Sequence, residues 1–338
     1  MRIKDVAHEA GVSTATVSHV INETKFVTDE TRQKVRKAIE KLNFYPNAAA
    51  RMLASGRSNL IGLLVSDISN PFFPEIIKSV ETAAFERGYN IVLFNTDYDA
   101  ARAADYVRRL IELKVAGVAL MTAELDPNLI EELKNKHVRV VFKDLGMVGE
   151  RMSNIVLDYA GGIREAVGYL ASLGHKHIAH VAGSRLIRSG KIRQDAFVAA
   201  MREFLPGADD SLIFEGDFRF DGGLAAAAEV LRLAELPTAI VAANDMMALG
   251  AMAQFKSAGL KIPRDISIVG FDDIAFAALS DPPLTTINSP RAEIGRQAIE
   301  ALMKSIENPG NPGAEIQIPM RLIKRSSTAP PRKTKKKK

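Results

Sequence analysis

The sequence predicts a small all-α domain at the N-terminus and a larger α/β body that holds two parallel sheets. Residues 1–45 contain helix caps and helical apolar spacing but no strand-like run. From Asn59 onward, short apolar runs alternate with amphipathic helical stretches, a pattern typical of parallel sheets covered on both faces. Because the alternation restarts at "SNIVLD", two α/β units in tandem are expected. A chain of 338 residues is long enough for two or three domains.

Three short helices are expected in the N-terminal domain. The first covers "IKDVAHEA" and ends at Gly11, and the second begins after a Ser13 cap. The third runs through "DETRQKVRKAIEKLNF" behind a Thr28 cap. Two helices joined by a glycine-containing turn fit a helix-turn-helix unit.

The second helix has two different faces. Val17, Val20 and Ile21 are spaced so that they point into a core. The opposite side carries small and polar residues, namely Ala15, Ser18, His19 and Asn22. On such a face, hydroxyl and imidazole groups can hydrogen-bond base edges, a methyl group can pack on thymine, and the first backbone amides can hold a phosphate. The spacing fits the ordinary surface of a small helical bundle equally well.

The segment after this domain is a weak helix candidate. Pro46 precedes "NAAARMLAS" and Gly56 follows it. Leu53 is an apolar residue in this segment that has no core of its own to enter. A DNA base step, the adjacent domain or the same helix of a second subunit can each bury it.

Polar residues follow the predicted strands of the body. In open α/β sheets, small ligands bind beyond the carboxyl ends of the strands. The residues at these ends are Asp67, Asn70, Asp97, Asp144, Asn244, Asp245, Asp272 and Asp273. Each of them alone is more simply a helix cap, whereas the set indicates a cleft for a polyol ligand.

Composition limits the functional classes. The chain has no cysteine, so disulfides and thiolate metal sites are excluded. It has no apolar stretch of membrane-spanning length and no secretory signal, so a cytoplasmic location on the nucleoid is expected. Six basic residues between Arg332 and Lys338 account for more than the whole net charge of +5. We interpret this basic tail as a solubilising end that can also attract phosphates weakly.

Enzyme chemistry is not indicated. Two close histidine pairs occur in "GHKHIAH", but core or loop histidines explain them more simply than a metal site. The sequence contains no phosphate-loop lysine motif, no strand-borne GxGxxG and no nucleophile elbow. We therefore expect no catalytic residue, no metal and no cofactor.

Taken in order, the motifs resemble those of the lactose and purine repressor family of bacterial transcription regulators. The likeness rests on "IKDVAHEAGVSTATVSHVIN", "YPNAAARMLASGRS", "IGLLVSDISNPFF", "AANDMMALGA", "ISIVGFDD", "LTTINSP" and "RLIKRSS". It covers all of the chain except the extreme C-terminus. The domain limits that follow are a helix-turn-helix domain at 1–46, a hinge helix at 47–58, an effector-binding and dimerisation domain at 59–325, and a disordered basic tail at 326–338.

The resemblance implies that a dimer binds a palindromic operator. The helix-turn-helix would read the bases, and Leu53 would enter the minor groove at the operator centre, with its helix folding only on DNA. The DNA-binding residues implied in this way are Ser13, Thr14, Ala15, Thr16, Ser18, His19, Asn22, Asn47, Ala50, Arg51 and Leu53.

The same resemblance implies a periplasmic-binding-protein-like body with an effector cleft between its two parallel-sheet subdomains. The effector-binding residues would be Asn70, Phe72, Phe73, Asp144, Ser189, Arg193, Phe218, Asn244 and Asp272. Aromatic faces suit the apolar side of a sugar ring, and the polar groups suit its hydroxyls. Leu145, Ile187 and Ser289 depart from the family pattern, and Ile187 stands where purine-binding members have an arginine, which argues against a purine.

The function expected is therefore that of a dimeric repressor of carbohydrate-utilisation genes, which a small sugar or sugar phosphate controls allosterically. Without a leucine heptad past Arg325, a dimer is expected rather than a tetramer. A sugar-binding receptor without DNA function is the alternative, and a sugar-modifying enzyme is a weaker one.

Overall fold

The computed structural model describes residues 2–22, 25–45, 58–122, 125–185, 187–209 and 212–332. The chain forms two compact units, Met1–Ser58 and Asn59–Lys338. The second unit therefore begins at the residue where the sequence places the start of the body. The expected hinge helix lies outside the described residues except for Ser58, and so do Asn47, Ala50, Arg51 and Leu53.

The described residues of the first unit form three helices: α1 (Ile3–Ala10), α2 (Thr14–Asn22) and α3 (Asp29–Lys41). Gly11 ends α1 in the left-handed conformation, with φ of 64°, where only a residue without Cβ is unstrained. A small core of Val6, Val17 and Val35 joins the three helices. Helix α3 begins after Thr28, as predicted, but the predicted side-chain cap is wrong. The Thr28 hydroxyl donates to Thr31 Oγ1 at 2.9 Å and makes no hydrogen bond to the backbone of α3.

The first sheet of the second unit has six parallel strands: β1 (Leu60–Val65), β2 (Asn90–Asn95), β3 (Gly117–Met121), β4 (Val140–Lys143), β5 (Met152–Leu157) and β11 (Glu315–Ile318). Their order across the sheet is β11-β5-β4-β3-β1-β2. The helices α4 (Phe72–Phe85), α5 (Ala100–Glu112) and α6 (Pro127–Asn135) connect the first strands. Strand β1 is buried along most of its length, as a central strand covered on both faces must be.

The second sheet has the order β12-β10-β9-β8-β6-β7. Its strands are β6 (Ile178–Ala182), β7 (Ile213–Glu215), β8 (Ala239–Ala242), β9 (Ser267–Asp272), β10 (Thr285–Asn288) and β12 (Arg321–Ile323), of which only β12 runs antiparallel to its neighbour. Its helices are α7 (Tyr159–Ser172), α8 (Arg188–Phe204), α9 (Phe220–Val230), α10 (Asp245–Ser257) and α11 (Ala275–Leu279).

The sequence predicts two α/β units in tandem, but the two sheets are not simply consecutive along the chain. After β5 the chain passes to the second sheet, and after β10 it returns, because α12 (Arg291–Glu307) packs on α4 and β11 joins the first sheet. It then crosses again to form β12. Three connections therefore join the two subdomains, and the carboxyl ends of both sheets border the space between them.

The C-terminal boundary also differs from the expected one. Ser327 is fully buried, its hydroxyl donates to the Ile268 carbonyl at 2.6 Å, and it accepts the Thr285 amide at 2.8 Å. Arg332 pairs with Asp265 at 2.8 Å. Residues 326–332 are therefore part of the folded body rather than of a disordered tail, because they complete hydrogen bonds along β9 and β10. None of the helices among the described residues is long and apolar enough to span a membrane.

Candidate functional site

The start of α2 forms the first candidate surface. The Ser13 hydroxyl accepts the Thr16 amide at 3.1 Å and lies 2.9 Å from Thr16 Oγ1, so the predicted Ser13 cap is confirmed. Ser13, Thr14 and Ala15 are exposed at this end of the helix. The exposed residues and the backbone N–H groups of the first turn can approach a phosphate or a base edge.

The rest of α2 follows the two-face prediction. Val17 is fully buried, and Val20 and Ile21 pack around it. On the other side, Asn22 Nδ2 donates to Ser18 Oγ at 3.2 Å, which orients both side chains along the helix. Ser18, His19 and Asn22 are half-buried within this unit. The helix thus packs by one face and leaves the other open to a partner.

The second candidate site is a cavity between the two sheets, with about 430 Å³ of empty space that is partly open to solvent. Its wall follows the carboxyl ends of strands from both sheets, where the rule for open α/β sheets places ligands. The residues that line it are Ser66, Asn70, Phe72, Phe73, Tyr98, Met121, Lys143, Ile187, Ser189, Arg193, Phe218, Asn244 and Asp272. Eight of the nine effector residues expected from the sequence are among them.

Arg193 and Asp272 form the polar centre of this wall. The Arg193 guanidinium stacks over the Phe271 ring at 4.2 Å and donates to the Ala243 carbonyl. One guanidinium nitrogen lies 3.6 Å from Asp272 Oδ1, which is too long for a hydrogen bond. Arg193 Nε and Asp272 Oδ1 are buried and lack a hydrogen-bond partner in the protein. A buried donor and a buried acceptor on one cavity wall fit a polar ligand that satisfies both.

Burial also changes the protonation of the site. Burial raises the pKa of Asp272 to about 6, although the charges of Arg193, Arg291 and Lys143 lower it. Behind it, burial and the charge of Asp272 raise the pKa of Asp245 well above its usual range. Asp245 is fixed by the Thr286 hydroxyl at 2.5 Å and the Ile274 amide at 2.8 Å, so its role is to hold the loop after β9.

Asp144 is the ninth expected effector residue, and the structure does not bring it to the cavity wall. Its carboxylate accepts the Leu157 amide at 3.0 Å, the Tyr159 hydroxyl at 2.6 Å and the Lys143 ammonium at 2.6 Å. Lys143 stands on the wall in its place. The cause is local, because Asp144 adopts φ of 61° after the end of β4 and its side chain turns toward α7.

Other predicted polar residues mainly hold the backbone. Asn244 Oδ1 caps α10 by accepting the Met247 amide at 2.9 Å, while its Nδ2 donates to the Phe218 carbonyl at 2.8 Å. Asn70 Oδ1 accepts the Phe72 amide at 3.0 Å. Both residues line the cavity, so the cap interpretation and the ligand interpretation are compatible at these positions.

One ion-pair cluster connects the two subdomains beside the cavity. Arg219, just before α9, donates to Asp97 at 2.7 Å and lies 3.6 Å from Asp67. Its guanidinium also lies over the Tyr98 ring, which stacks on Phe218 at 6.4 Å. Asp67 and Asp97 follow β1 and β2, so these contacts tie the first sheet to the second.

Sequence reasoning missed five lining residues, namely Ser66, Tyr98, Met121, Lys143 and Ile187. Lys143 is the most important omission, because a lysine at the end of the apolar run "VVF" is a signal the sequence does contain. The histidine pairs belong to the core: His180 is fully buried and contacts the Val241 carbonyl at 2.7 Å, and burial lowers its pKa to about 4. Within the described residues, no cluster of three or more His, Cys, Asp or Glu side chains can hold a metal ion.

The helix-turn-helix unit and the two-sheet body with its cavity define a ligand-binding DNA regulator. Two family models match the chain: "Bacterial regulatory proteins, lacI family" over residues 2–47, and "Periplasmic binding protein-like domain" over residues 167–328. The HTH-type transcriptional repressor PurR of Vibrio atlanticus is 36% identical over 327 residues, 96% of this chain and 98% of that protein. PurR of Vibrio vulnificus is 39% identical over 308 residues, 90% of this chain and 92% of that protein.

Solved structures agree with these matches. The lac repressor dimer bound to operator and the anti-inducer ONPF has a TM-score of 0.86 at 29% identity, covering 97% of this chain and 99% of that one. The CelR–cellobiose complex has a TM-score of 0.71 at 31% identity, with coverage of 97% and 99%. A lacI-family transcriptional regulator from Enterococcus faecium with bound ribose has a TM-score of 0.75 at 30% identity, covering 81% of this chain and 100% of that one. The chain belongs to the lacI family of bacterial regulatory proteins and is a DNA-binding transcriptional repressor.

Proposed function

We propose that this repressor binds a palindromic operator as a homodimer, and that a small sugar-like effector in the cavity between the two sheets controls its affinity for that operator. The observation that carries the proposal is the pair of buried, unpartnered atoms on the cavity wall, Arg193 Nε and Asp272 Oδ1, with the rings of Phe72 and Phe218 beside them. Hydroxyl groups satisfy both a donor and an acceptor, and aromatic faces cover a sugar ring.

A purine is the second candidate effector, because the curated relatives are repressors named PurR. The cavity favours the sugar, because Ile187 is an aliphatic lining residue where the purine-binding members have arginine. Leu145 does not separate the two classes, since it replaces both the tryptophan of the purine repressor type and the arginine that sugar binders of this fold often have. The structural neighbours with cellobiose and ribose support the same choice. A carbohydrate-utilisation target is the corresponding proposal for the genes that are controlled.

The mechanism we propose is a two-state linkage. An effector that prefers one relative orientation of the two sheets shifts the dimer toward or away from the geometry in which the paired 47–58 segments fold on DNA. A ligand that binds both orientations equally changes nothing. Arg219 and its partners Asp67 and Asp97 are the described contacts that such a change would make or break.

The dimer has a candidate contact on the body. Phe276 and Leu279 lie one turn apart on α11 and are 53% and 79% exposed. A second copy of the chain is the proposed occupant, because the similar lac repressor structure is a dimer. Leu279→Ser should lower the sedimentation coefficient from dimer to monomer, whereas Val148→Ser, at another exposed apolar residue, should not. A dimer that Leu279→Ser leaves intact would place the interface elsewhere.

Operator binding can be tested by fluorescence anisotropy with a palindrome of about 16 to 18 base pairs and a scrambled duplex. We expect Thr14→Ala and His19→Ala to weaken binding to the palindrome and to leave the scrambled duplex unchanged, since base contacts specify sequence. Gln33→Ala, at an exposed residue of α3, is the control. A protein that binds both duplexes equally at moderate salt would contradict the proposal.

Leu53 gives a second test of the same proposal. Leu53→Ala should weaken specific binding far more than nonspecific binding, because a minor-groove wedge acts only on the bent operator. Equal losses on both duplexes would contradict the wedge role.

The effector can be identified by thermal shift, because a ligand that binds only the folded body raises its melting temperature by mass action. The panel contains ribose, cellobiose, other neutral sugars, hypoxanthine and guanine. Arg193→Ala should abolish both the thermal shift and the change in operator affinity, while its effector-free operator affinity stays equal to that of the wild type. An Arg193→Ala variant that responds normally would remove the cavity from the mechanism.

A further inference from the structure

Lys143 places a buried ammonium group on the cavity wall. Its side chain is 8% exposed, and its Nζ donates to Asp144 Oδ2 at 2.6 Å and to the Tyr159 hydroxyl at 3.2 Å. An ammonium has three N–H groups, and these two bonds use two of them. Lys143 lines the cavity, and its third N–H is used by neither Asp144 nor Tyr159.

The surrounding residues keep this lysine charged. Burial disfavours the ammonium form, but the Asp144 carboxylate and the Tyr159 hydroxyl outweigh it, so the pKa of Lys143 is raised. Burial and Asp144 raise the pKa of Tyr159 to about 12, so the phenol stays neutral. Asp144 lies behind Lys143 and is not a lining residue, so the cavity faces the positive end of the pair.

The wall therefore has more cationic donors than its own acceptors satisfy. Lys143 and Arg193 both line the cavity, and Arg193 Nε has no hydrogen-bond partner, whereas Asp272 is the one carboxylate among the described lining residues. A hydroxyl group needs only a neutral donor such as an amide, without the cost of desolvating an ammonium. A carboxylate forms a charge-assisted hydrogen bond with the ammonium that is about twice as strong as a neutral one.

We propose that Lys143 selects an effector that carries a carboxylate, so that the cavity binds a sugar acid in preference to the corresponding neutral sugar. This inference rests on the proposed function and names the chemical class of the effector. The carboxylate accepts from Lys143, hydroxyls of the same molecule donate to Asp272 Oδ1, and the carbon chain or ring lies against Phe72 and Phe218.

Asp272 does not oppose this assignment. Arg193 from α8, Arg291 from α12 and Lys143 from β4 face it with positive charge, and Asp245 from α10 faces it with a carboxyl group. Its pKa of about 6 lets it take up a proton when an anion binds beside it.

The test compares matched acid and neutral ligands by isothermal titration calorimetry on the full-length protein. The pairs are gluconate with glucose and galacturonate with galactose. We expect at least one acid to bind more tightly than its neutral partner by about tenfold or more, as one charged hydrogen bond provides. The proposal is overturned if no acid of the panel binds, or if neutral partners bind as tightly as the acids.

Variants at Lys143 provide a second test of the proposal. Lys143→Met should weaken acid binding by about ten- to a hundredfold and change the binding of the neutral partner little. Because this change leaves Asp144 buried without its cation, the double variant Lys143→Met/Asp144→Asn is measured beside it and should show the same selective loss. Lys191→Met, at an exposed lysine that does not line the cavity, is the control. Unchanged acid affinity in the double variant, with circular dichroism showing a folded protein, would overturn the proposal.

The same samples separate this inference from the proposed function. Operator anisotropy is measured with and without the ligand panel for the wild type and both variants. Absence of sequence-specific operator binding by the wild type under all of these conditions contradicts the proposed function, whatever the cavity binds. Specific operator binding together with tight binding of a neutral sugar contradicts only the inference about Lys143, whereas tight binding of hypoxanthine also contradicts the sugar-like effector of the proposed function.

Discussion

Asp272 is a cavity residue whose buried carboxyl group opposes the stability of the fold. It is 3% exposed, its φ is 110°, and its Oδ1 accepts no hydrogen bond from the described residues. Its charge helps to raise the pKa of the neighbouring Asp245. A fold optimised for stability alone would not combine a left-handed backbone with a buried carboxyl group.

We predict that Asp272→Asn stabilises the ligand-free protein at pH 8. A carboxyl whose folded pKa of about 6 exceeds its unfolded value destabilises the fold above that pKa, and the penalty disappears as the pH falls toward 4. The difference between the folded and unfolded pKa values of Asp272 lowers the free energy of unfolding at pH 8 by roughly 3 kcal/mol at most. Thermal unfolding from pH 8 to pH 4.5 should therefore show a gain for Asp272→Asn that shrinks on acidification. A gain that is independent of pH would contradict this pKa.

At the scale of single elements, the caps of the first unit differ. Ser13 accepts the Thr16 amide at the start of α2, whereas Thr28 bonds only to the Thr31 hydroxyl at the start of α3. Both residues are typical N-cap types, so composition does not separate them. The geometry separates them, because only the Ser13 hydroxyl accepts a backbone N–H of the first turn of its helix.

Ser13→Ala should therefore destabilise α2 by about 1 kcal/mol, and Thr28→Ala should cost α3 clearly less. Amide hydrogen exchange of the full-length protein reports the two helices separately. Equal increases in exchange at both helix starts would mean that the cap bond of Ser13 contributes nothing.

At the scale of the whole second unit, an exposed ion-pair cluster joins the two subdomains beside the cavity. Arg219 contacts Asp97 and Asp67 across the cavity mouth, although it is itself 47% exposed. Exposed ion pairs of this kind contribute under about 1 kcal/mol to folding. We expect these ion pairs to act mainly on the relative orientation of the two sheets.

Arg219→Gln should leave the melting temperature nearly unchanged and open the ligand-free body. Small-angle scattering should show a larger radius of gyration than in the wild type, and added salt should reduce the difference, since salt screens the exposed pairs in the wild type. Arg296→Gln, whose partners Glu293 and Glu300 lie on the same helix, is the matched control. Equal radii for both variants would show that the Arg219 contacts do not hold the sheets together.

The C-terminal segment belongs to the same scale. Deleting residues 326–338 removes Ser327 from its bonds to the Ile268 carbonyl and the Thr285 amide, and should lower the melting temperature by several degrees. Deleting 333–338 alone leaves every described contact intact and should change only the salt dependence of DNA binding. Equal melting temperatures for the two truncations would contradict the assignment of 326–332 to the body.

The sequence predicts those parts of the molecule that depend on neighbours along the chain. Gly11, the Ser13 cap and the buried side of α2 follow from helical spacing, and the buried strands follow from their apolar runs. The motifs also brought Asn70, Phe218 and Asp272 to one cleft, because residues at the ends of parallel strands meet at one edge of a sheet. The predicted Thr28 cap is wrong, because the Thr28 hydroxyl donates to Thr31 Oγ1 and accepts no backbone N–H of α3, and the sequence does not contain the distances that decide between these two bonds.

Only the tertiary structure decides what crosses between the sheets. That β11 joins the first sheet depends on its pairing with β5, between residues over a hundred positions apart, and β12 pairs with β10 across the return of the chain through α12 and β11. Local spacing gives no signal for either pairing. Lys143, rather than Asp144, reaches the cavity because the backbone turns after β4 and Tyr159 on α7 captures the carboxylate. The sequence by itself determined the helix-turn-helix unit and the strand rhythm, since these are local. The long-range packing determined which charged side chain lines the cavity, because that depends on contacts between elements distant in the chain.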